Sequence, residues 1–202
     1  NIQELRTNIY QLRDYLLDQK LTHSVAHATY SVNGKLTITH LEKLILLFDV
    51  FEGINGGRND MNNIAWINVL QHLTPQHIAK LQAKHPTIQP ASDRPWEKSL
   101  TGGSDDHAGL FIGQTYTEVD AKTPEKFLIN LKEKRSKAHG RHNNYQALAF
   151  TLYKIAYEFS RTKGSSFSKS LLNQLTEMIF ENKSLSLKNR IKLNHFSSRQ
   201  DE

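Results

Sequence analysis

Asp105 and His107 stand two positions apart in the run Leu100-Thr101-Gly102-Gly103-Ser104-Asp105-Asp106-His107-Ala108-Gly109. A carboxylate and an imidazole are the side chains that hold a hard or borderline divalent cation, and residues i and i+2 of a β-strand point to one face. On a strand, Asp105 and His107 reach one cation together while Asp106 points elsewhere. The two glycines allow close backbone approach where the strand ends. The bland alternative is an Asp-x-His triplet in an ordinary surface loop. A Ser-His-Asp hydrolase is disfavoured, because alternation sends Ser104 away from Asp105 and His107 and no Gly-x-Ser-x-Gly elbow occurs.

The run Gly102-Gly103-Ser104-Asp105-Asp106-His107, followed by Ala108-Gly109-Leu110-Phe111-Ile112-Gly113-Gln114-Thr115-Tyr116-Thr117-Glu118, resembles the last metal-binding motif of the polymerase and histidinol phosphatase (PHP) family of metal-dependent phosphoesterases. The resemblance implies that Asp105 and His107 are metal ligands and that Asp106 takes the variable position. Ser24-Val25-Ala26-His27-Ala28 is similar to the family's Ala-His-Pro motif, with Ala28 where Pro is usual, and implies His27 as a further ligand. Leu47-Phe48-Asp49-Val50-Phe51-Glu52-Gly53-Ile54-Asn55-Gly56-Gly57-Arg58-Asn59 resembles the strand that carries Glu and ends in Asn-Gly. It implies Glu52 and Asn55 on the cavity wall or in support of the ligands.

The likeness covers about residues 1 to 135. It implies the C-terminal part of a distorted β/α (TIM-like) barrel over residues 1–137, with a helical extension over 138–202. The implied activity is hydrolysis of a phosphate ester by metal-activated water. Its cofactors would be divalent ions (zinc, manganese, iron or magnesium), and its substrate a phosphorylated small molecule. Arg58 could grip that phosphate, or be a surface arginine. The family's opening His-x-His motif has no counterpart anywhere in the chain. We therefore expect the C-terminal part of a longer protein with further domains possible, or else a degenerate site. The alternative from another class is a non-catalytic barrel-like binding or docking module.

The elements expected to carry these residues alternate. Ile2, Leu5, Ile9, Leu12 and Leu16 recur at helical spacing, predicting an amphipathic helix over 2–19. Residues 22–28 read as a strand and Asn33-Gly34 as a turn. Thr39-His40-Leu41-Glu42 has capping-box spacing for a helix to about Leu47. A strand over 49–55, a helix over 60–72, and a helix opened by Thr74-Pro75 follow. Pro86, Pro90 and Pro95 mark a loop before the metal-motif strand. Thr115 to Val119 reads as a strand, and Thr123-Pro124-Glu125 as a helix start. Beyond about residue 138 only helices are expected, with apolar stripes at Tyr145, Leu148, Leu152, Ile155 and Phe159 and at Phe167, Leu171, Leu175 and Met178, joined at Lys163-Gly164-Ser165-Ser166.

Of the other histidines, His23 lies four residues before His27 and on a strand would share its face. His40, His72, His77 and His85 read as surface positions. His139 and His142 flank Arg141, where the three could meet a phosphate or form a plain loop. The absence of cysteine excludes disulfides and thiolate ligands. No run reaches the ~18 to 20 apolar residues of a membrane span, and no charged-then-apolar leader is visible, so the composition points to a soluble cytoplasmic protein. Of the net charge of +6, residues 161–202 carry +4, from eight Lys or Arg and four Asp or Glu. These charges are spread out, without the interleaved aromatics that stack on bases, which favours a solvated helical surface over nucleic acid.

Overall fold

The computed structural model describes residues 2–31 and 34–162. The chain divides into two units, Asn1–Asn144 and Tyr145–Glu202. Within the first, α1 (Ile2–Leu5) and α2 (Ile9–Asp18) are followed by α3 (Ile38–Leu47), β1 (Val50–Asn55), α4 (Asp60–Gln71), α5 (Pro75–Lys84), β2 (Ser99–Gly103), β3 (Thr115–Val119), α6 (Pro124–Lys132) and β4 (Ser136–Gly140). The described part of the second unit is α7 (Tyr145–Thr162). The architecture is mixed α/β, and no helix among the described residues is long and apolar enough to cross a membrane.

β1 and β2 pair in parallel across a crossover that contains α4 and α5. Val25 adds a single parallel bridge to Phe51 on the other side of β1. β3 and β4 form a separate antiparallel pair, with Thr115 opposite Gly140 and Val119 opposite Ser136. Side-chain hydroxyls join the two pairs: Ser99 Oγ lies 2.6 Å from Ser136 Oγ, Ser136 Oγ donates to the Leu100 carbonyl (2.8 Å), and Thr117 Oγ1 accepts from Gly102 N–H (3.0 Å). The described strands thus form two two-stranded sheets stitched side to side, without closing into a barrel.

The core lies where α3, α4 and α5 cover β1. Leu46 and Phe51 are fully buried, with Leu70, Ile78, Trp66 and Ile88 around them. Each such side chain contributes roughly 1.5–3 kcal/mol by leaving water. At the entry to the strands Lys98 is buried. Its Nζ donates to the Ile45 (2.7 Å) and Phe48 (2.6 Å) carbonyls at the end of α3 and to Asp49 Oδ1 (3.0 Å). It thereby ties the last turn of α3 to the start of both parallel strands, as a cation at a helix C-terminus does.

Several expectations change at this level. The helix expected over 2–19 breaks, because Asn8 turns to cap α2, accepting from Tyr10 (3.1 Å) and Gln11 (3.2 Å) N–H. The helix expected to open at Thr39 is capped two residues earlier by Thr37, whose N–H donates to His40 Nδ1 (3.1 Å). Glu42 is thereby free to pair with Lys84 (2.7 Å) at the end of α5 and with His85 (2.9 Å), the residue that caps it. His85 is consequently buried rather than a surface residue. Residues 22–28 make one bridge rather than a strand. The change of pattern expected near residue 138 falls inside β4, which pairs with β3. In α7, Tyr145, Leu148, Leu152 and Ile155 are exposed while Ala147 and Tyr157 are buried. The second apolar stripe, its turn and nearly all of the basic tail lie outside the described residues.

Candidate functional site

Three chain segments that follow the Val25 bridge, β1 and β2 meet at one end of the parallel strands, because all three run the same way. After Val25 comes His27, after β1 the Asn55-Gly56-Gly57-Arg58 turn, and after β2 the loop carrying Asp105 and His107. Ends of parallel strands at which successive loops gather are where α/β folds assemble their sites.

Glu52 and Asn55 organise the wall. Glu52 Oε2 accepts from the His27 backbone N–H (2.7 Å) and from Asn55 Nδ2 (2.8 Å). Residues three apart on a regular strand point to opposite faces, but the β1–β2 register shifts between Glu52 and Ile54, and this irregularity lets the two side chains meet. Asn55 Oδ1 accepts from Gly57 N–H (2.9 Å), which closes the turn. The buried Asn63 on α4 holds the same corner. Its Oδ1 accepts from Asn55 N–H (3.1 Å), and its Nδ2 donates to the Asn55 carbonyl (2.9 Å) and to His142 Nδ1 (2.8 Å).

Two glycines let this turn lie directly on the loop after β2. A Cβ at Gly56 would come within 2.7 Å of Thr115 Oγ1 and 2.9 Å of the Ser104 carbonyl, and one at Gly57 within 3.1 Å of the Asp105 carbonyl. Arg58 follows at once and reaches Asp105, with Nη2 3.5 Å from Oδ2. Its guanidinium carbon lies over the Tyr30 ring, 3.3 Å from the centroid. Tyr30 and His27 are linked by a tight turn, in which Tyr30 N–H donates to the His27 carbonyl (2.9 Å), with their rings edge to face at 6.0 Å. His27 itself has φ +31, a left-handed value that turns the chain sharply there.

The Asp105–His107 pair forms, by a different route from the expected one. β2 ends at Gly103, and Asp105 takes φ +44, so a left-handed turn rather than strand alternation brings the side chains together. Asp105 Oδ1 and His107 Nε2 are 3.4 Å apart, with Asp105 largely covered and His107 exposed. Asp106 points into its own loop, where Oδ1 accepts from Ala108 N–H (2.9 Å) and Oδ2 from Phe111 N–H (2.6 Å). Burial alone would push the Asp106 carboxyl up. The N–H groups of Phe111, Ala108, Leu110 and Gly109 outweigh that and hold it below the usual carboxylate range.

The donor set can be compared with the demands of a cation. Ligand atoms at about 2.0–2.2 Å from one zinc-like ion stand roughly 3–3.5 Å apart, which Asp105 Oδ1 and His107 Nε2 match. His27 is held by its backbone to Glu52 and packs its ring on Tyr30. Among the described residues no group of three or more His, Cys, Asp or Glu could hold a metal ion. The pair thus offers two donor atoms at most, and Glu52 is already engaged by two donors.

The remaining histidines have other work. His23 Nδ1 meets the Leu21 carbonyl (2.8 Å) and its ring packs on Phe48 at the entry end of the strands, away from His27, because residues 22–28 are not a continuous strand. His72 Nδ1 meets the Asn68 carbonyl (2.8 Å), and His77 N–H is capped by Thr74 (3.2 Å). His139 stacks on Tyr116 and faces Glu118 (3.3 Å) across the β3–β4 ladder. Arg141 lies on the Phe111 ring, 4.1 Å from its centroid, and bonds Gln114 Oε1 (3.3 Å).

Tyr30, Asn63 and Asn143 are missing from the residues the sequence singles out. Asn143 N–H donates to the Arg58 carbonyl (2.7 Å) and its side chain to the Gly57 carbonyl (3.1 Å), fastening the turn from the β4 side. Only Asn63 carried a readable signal, as a polar residue on the inward face of a helix next to Trp66 and Leu70. Comparison with family models, with curated proteins and with solved structures gives no match for this chain.

Proposed function

We propose that the chain carries part of a metal-dependent phosphoesterase site, built on the C-terminal part of a β/α barrel. The observation that carries this reading is the Asp105–His107 pair at 3.4 Å, flanked by Arg58 at 3.5 Å, at the end of parallel strands. The parallel β1–β2 pair, with β4 laid against β2 through Ser99 and Ser136, supports the barrel part. A divalent cation (zinc, manganese, iron or magnesium) would supply Lewis acidity toward a phosphoryl group and a nucleophile from water at neutral pH.

Asp105 and His107 are the residues to hold it, and any further donors, beyond the His27 that the resemblance implies, would come from outside the described residues. Arg58 has the chemistry for the phosphate. A guanidinium offers two parallel N–H groups to phosphoryl oxygens, and stacking on Tyr30 fixes its plane beforehand. Glu52, Asn55 and Asn63 position the turn that presents it.

Bound metal and hydrolysis of p-nitrophenyl phosphate test the reading together. Asp105→Asn and His107→Ala should each lower metal affinity and turnover at least roughly tenfold, while Asp120→Asn on an exposed loop changes neither. Unchanged metal binding in both ligand variants would remove the assignment. A second reading, a non-catalytic barrel-like binding module, is favoured by the two-donor count among the described residues. No metal uptake and no turnover by the wild-type chain would select it.

A further inference from the structure

At the entry end of the strands, away from the Asp105 cluster, the fold leaves a cavity of about 140 Å³. Its walls come from the last turns of α2, residues 21–23, the junction of α3 with β1, residues 91 and 92, and the end of α6. Leu16, Leu21, Leu47, Val50 and Ala91 make those walls aliphatic. The one ring among the lining residues, that of His23, is fixed. Its Nδ1 donates to the Leu21 carbonyl (2.8 Å), and it sits edge to face on Phe48 at 5.5 Å.

The polar groups of the lining are unequally engaged. Asp49 is its one carboxylate, and both oxygens are taken, Oδ1 by Lys98 Nζ (3.0 Å) and Oδ2 by Lys134 Nζ (3.2 Å). Lys134 also donates to Ser92 Oγ (3.1 Å) and the Arg94 carbonyl (2.7 Å), and Thr22 Oγ1 donates to the Leu128 carbonyl (3.4 Å). Lys132 differs. It is exposed, and its ammonium has no hydrogen-bond or ion-pair partner among the described residues, while the adjacent Glu133 pairs with Arg135 (3.4 Å). Around this cavity three ammonium groups, those of Lys98, Lys132 and Lys134, thus stand against a single carboxylate. A cationic ligand would add to that excess and an anion relieves it.

We propose that this cavity binds a short aliphatic carboxylate, its chain among the leucines and its carboxylate on Lys132. Size sets the chain length. An apolar cavity of ~150 Å³ holds a six-carbon ring, so the acid here has about six carbons. No Phe, Tyr or Trp lines the cavity, so stacking gives a ring no advantage over a chain. The proposal does not rest on the phosphoesterase reading, with which it shares no residue.

The probe is 4-methylpentanoate, titrated into the whole chain in EDTA and followed by methyl and amide chemical shifts. Saturable one-to-one binding is expected, with shifts at Leu16, Leu21, Leu47 and Val50. Acetate, which lacks the chain, should bind at least roughly tenfold more weakly. The uncharged 4-methylpentanamide should bind at least roughly fivefold more weakly. Lys132→Gln, at an exposed position outside the core, should weaken the acid roughly threefold or more and leave the amide unaffected. Equal binding of acid and amide, indifference to Lys132→Gln, or no saturable shift at those four residues would overturn the proposal. Shifts confined to the Asp105 loop would place the anion at Arg58 and do the same. Tighter binding of decanoate would mark an open groove for a lipid chain, and tighter binding of a tripeptide ending in leucine a site for a peptide C-terminus. Either would also overturn it.

Discussion

Asp105 and Asp106 are adjacent carboxylates with separate tasks. Asp105 faces Arg58 and His107, while Asp106 gathers backbone N–H groups and shapes the loop on which His107 rides. Asp106→Asn leaves one acceptor oxygen and sets an amide NH2 against the other backbone N–H, so one bond is lost and the other loses its charge, at a cost of about 1–3 kcal/mol. Because the folded carboxyl of Asp106 lies below its unfolded value, its contribution is fully present above the unfolded value near pH ~4 and fades as pH falls through the folded one. Urea melts of wild type and Asp106→Asn should therefore differ by a constant amount from pH 5 to 7 and converge in acid. A gap that does not narrow as pH falls below the unfolded value contradicts the assignment. Arg58 and Tyr30 form a second residue-scale unit. A double-mutant cycle with Arg58→Met and Tyr30→Leu should show a coupling of about 0.5–1 kcal/mol, the size of a part-exposed cation–π contact. Additive losses would mean that the 3.3 Å stack contributes nothing.

At the scale of elements, the sequence was legible where local chemistry and burial agree. Thr74-Pro75 and Thr123-Pro124 open α5 and α6, each threonine accepting from the N–H three residues on (3.2 Å in both). β1 and β3 lie where β-rich runs placed them. β4 was not legible, since Ser136-Lys137-Ala138-His139-Gly140 has no apolar alternation and owes its strand form to pairing with β3. The grouping of Glu52 with Asn55 was equally hidden, because it depends on a register shift set by β2. Likewise the Asp105–His107 pair was expected from strand alternation and arises from a turn, so the residues were readable and their geometry was not. Gly102 marks where β2 runs hard against β3. A Cβ there would fall against the Tyr116 carbonyl oxygen, a backbone atom that cannot swing aside. Gly102→Ala should destabilise by about 2 kcal/mol or more, read as a lower urea midpoint with an unchanged slope. A neutral substitution would show that β2 and β3 can separate freely.

Across the whole first unit, one end of the strands gathers the Asp105 cluster and the other is sealed by Lys98, Asp49 and Lys134. Burial lowers the Lys98 amine from 10.5 to about 8, against the pull of Asp49, while Asp49 is held below the usual carboxylate range despite its burial, chiefly by Lys98. Between the folded value and that of an ordinary lysine, the unfolded chain binds more protons. Stability contributed at this position therefore rises as pH climbs from about 8 toward 10. Wild type should gain on Lys98→Met by up to ~3 kcal/mol over that window, with other lysines and tyrosines cancelling in the difference. A gap that narrows instead would reverse the sign of the shift. The seal has a practical corollary. Lys98 loses its proton more readily than an ordinary lysine, yet its side chain is only 1% exposed. An acylating reagent can reach it only when α3 lifts away from the strands. Peptide mapping after timed acylation should show Lys98 lagging far behind exposed lysines such as Lys84, and the length of that lag is a clock for how often the domain comes apart.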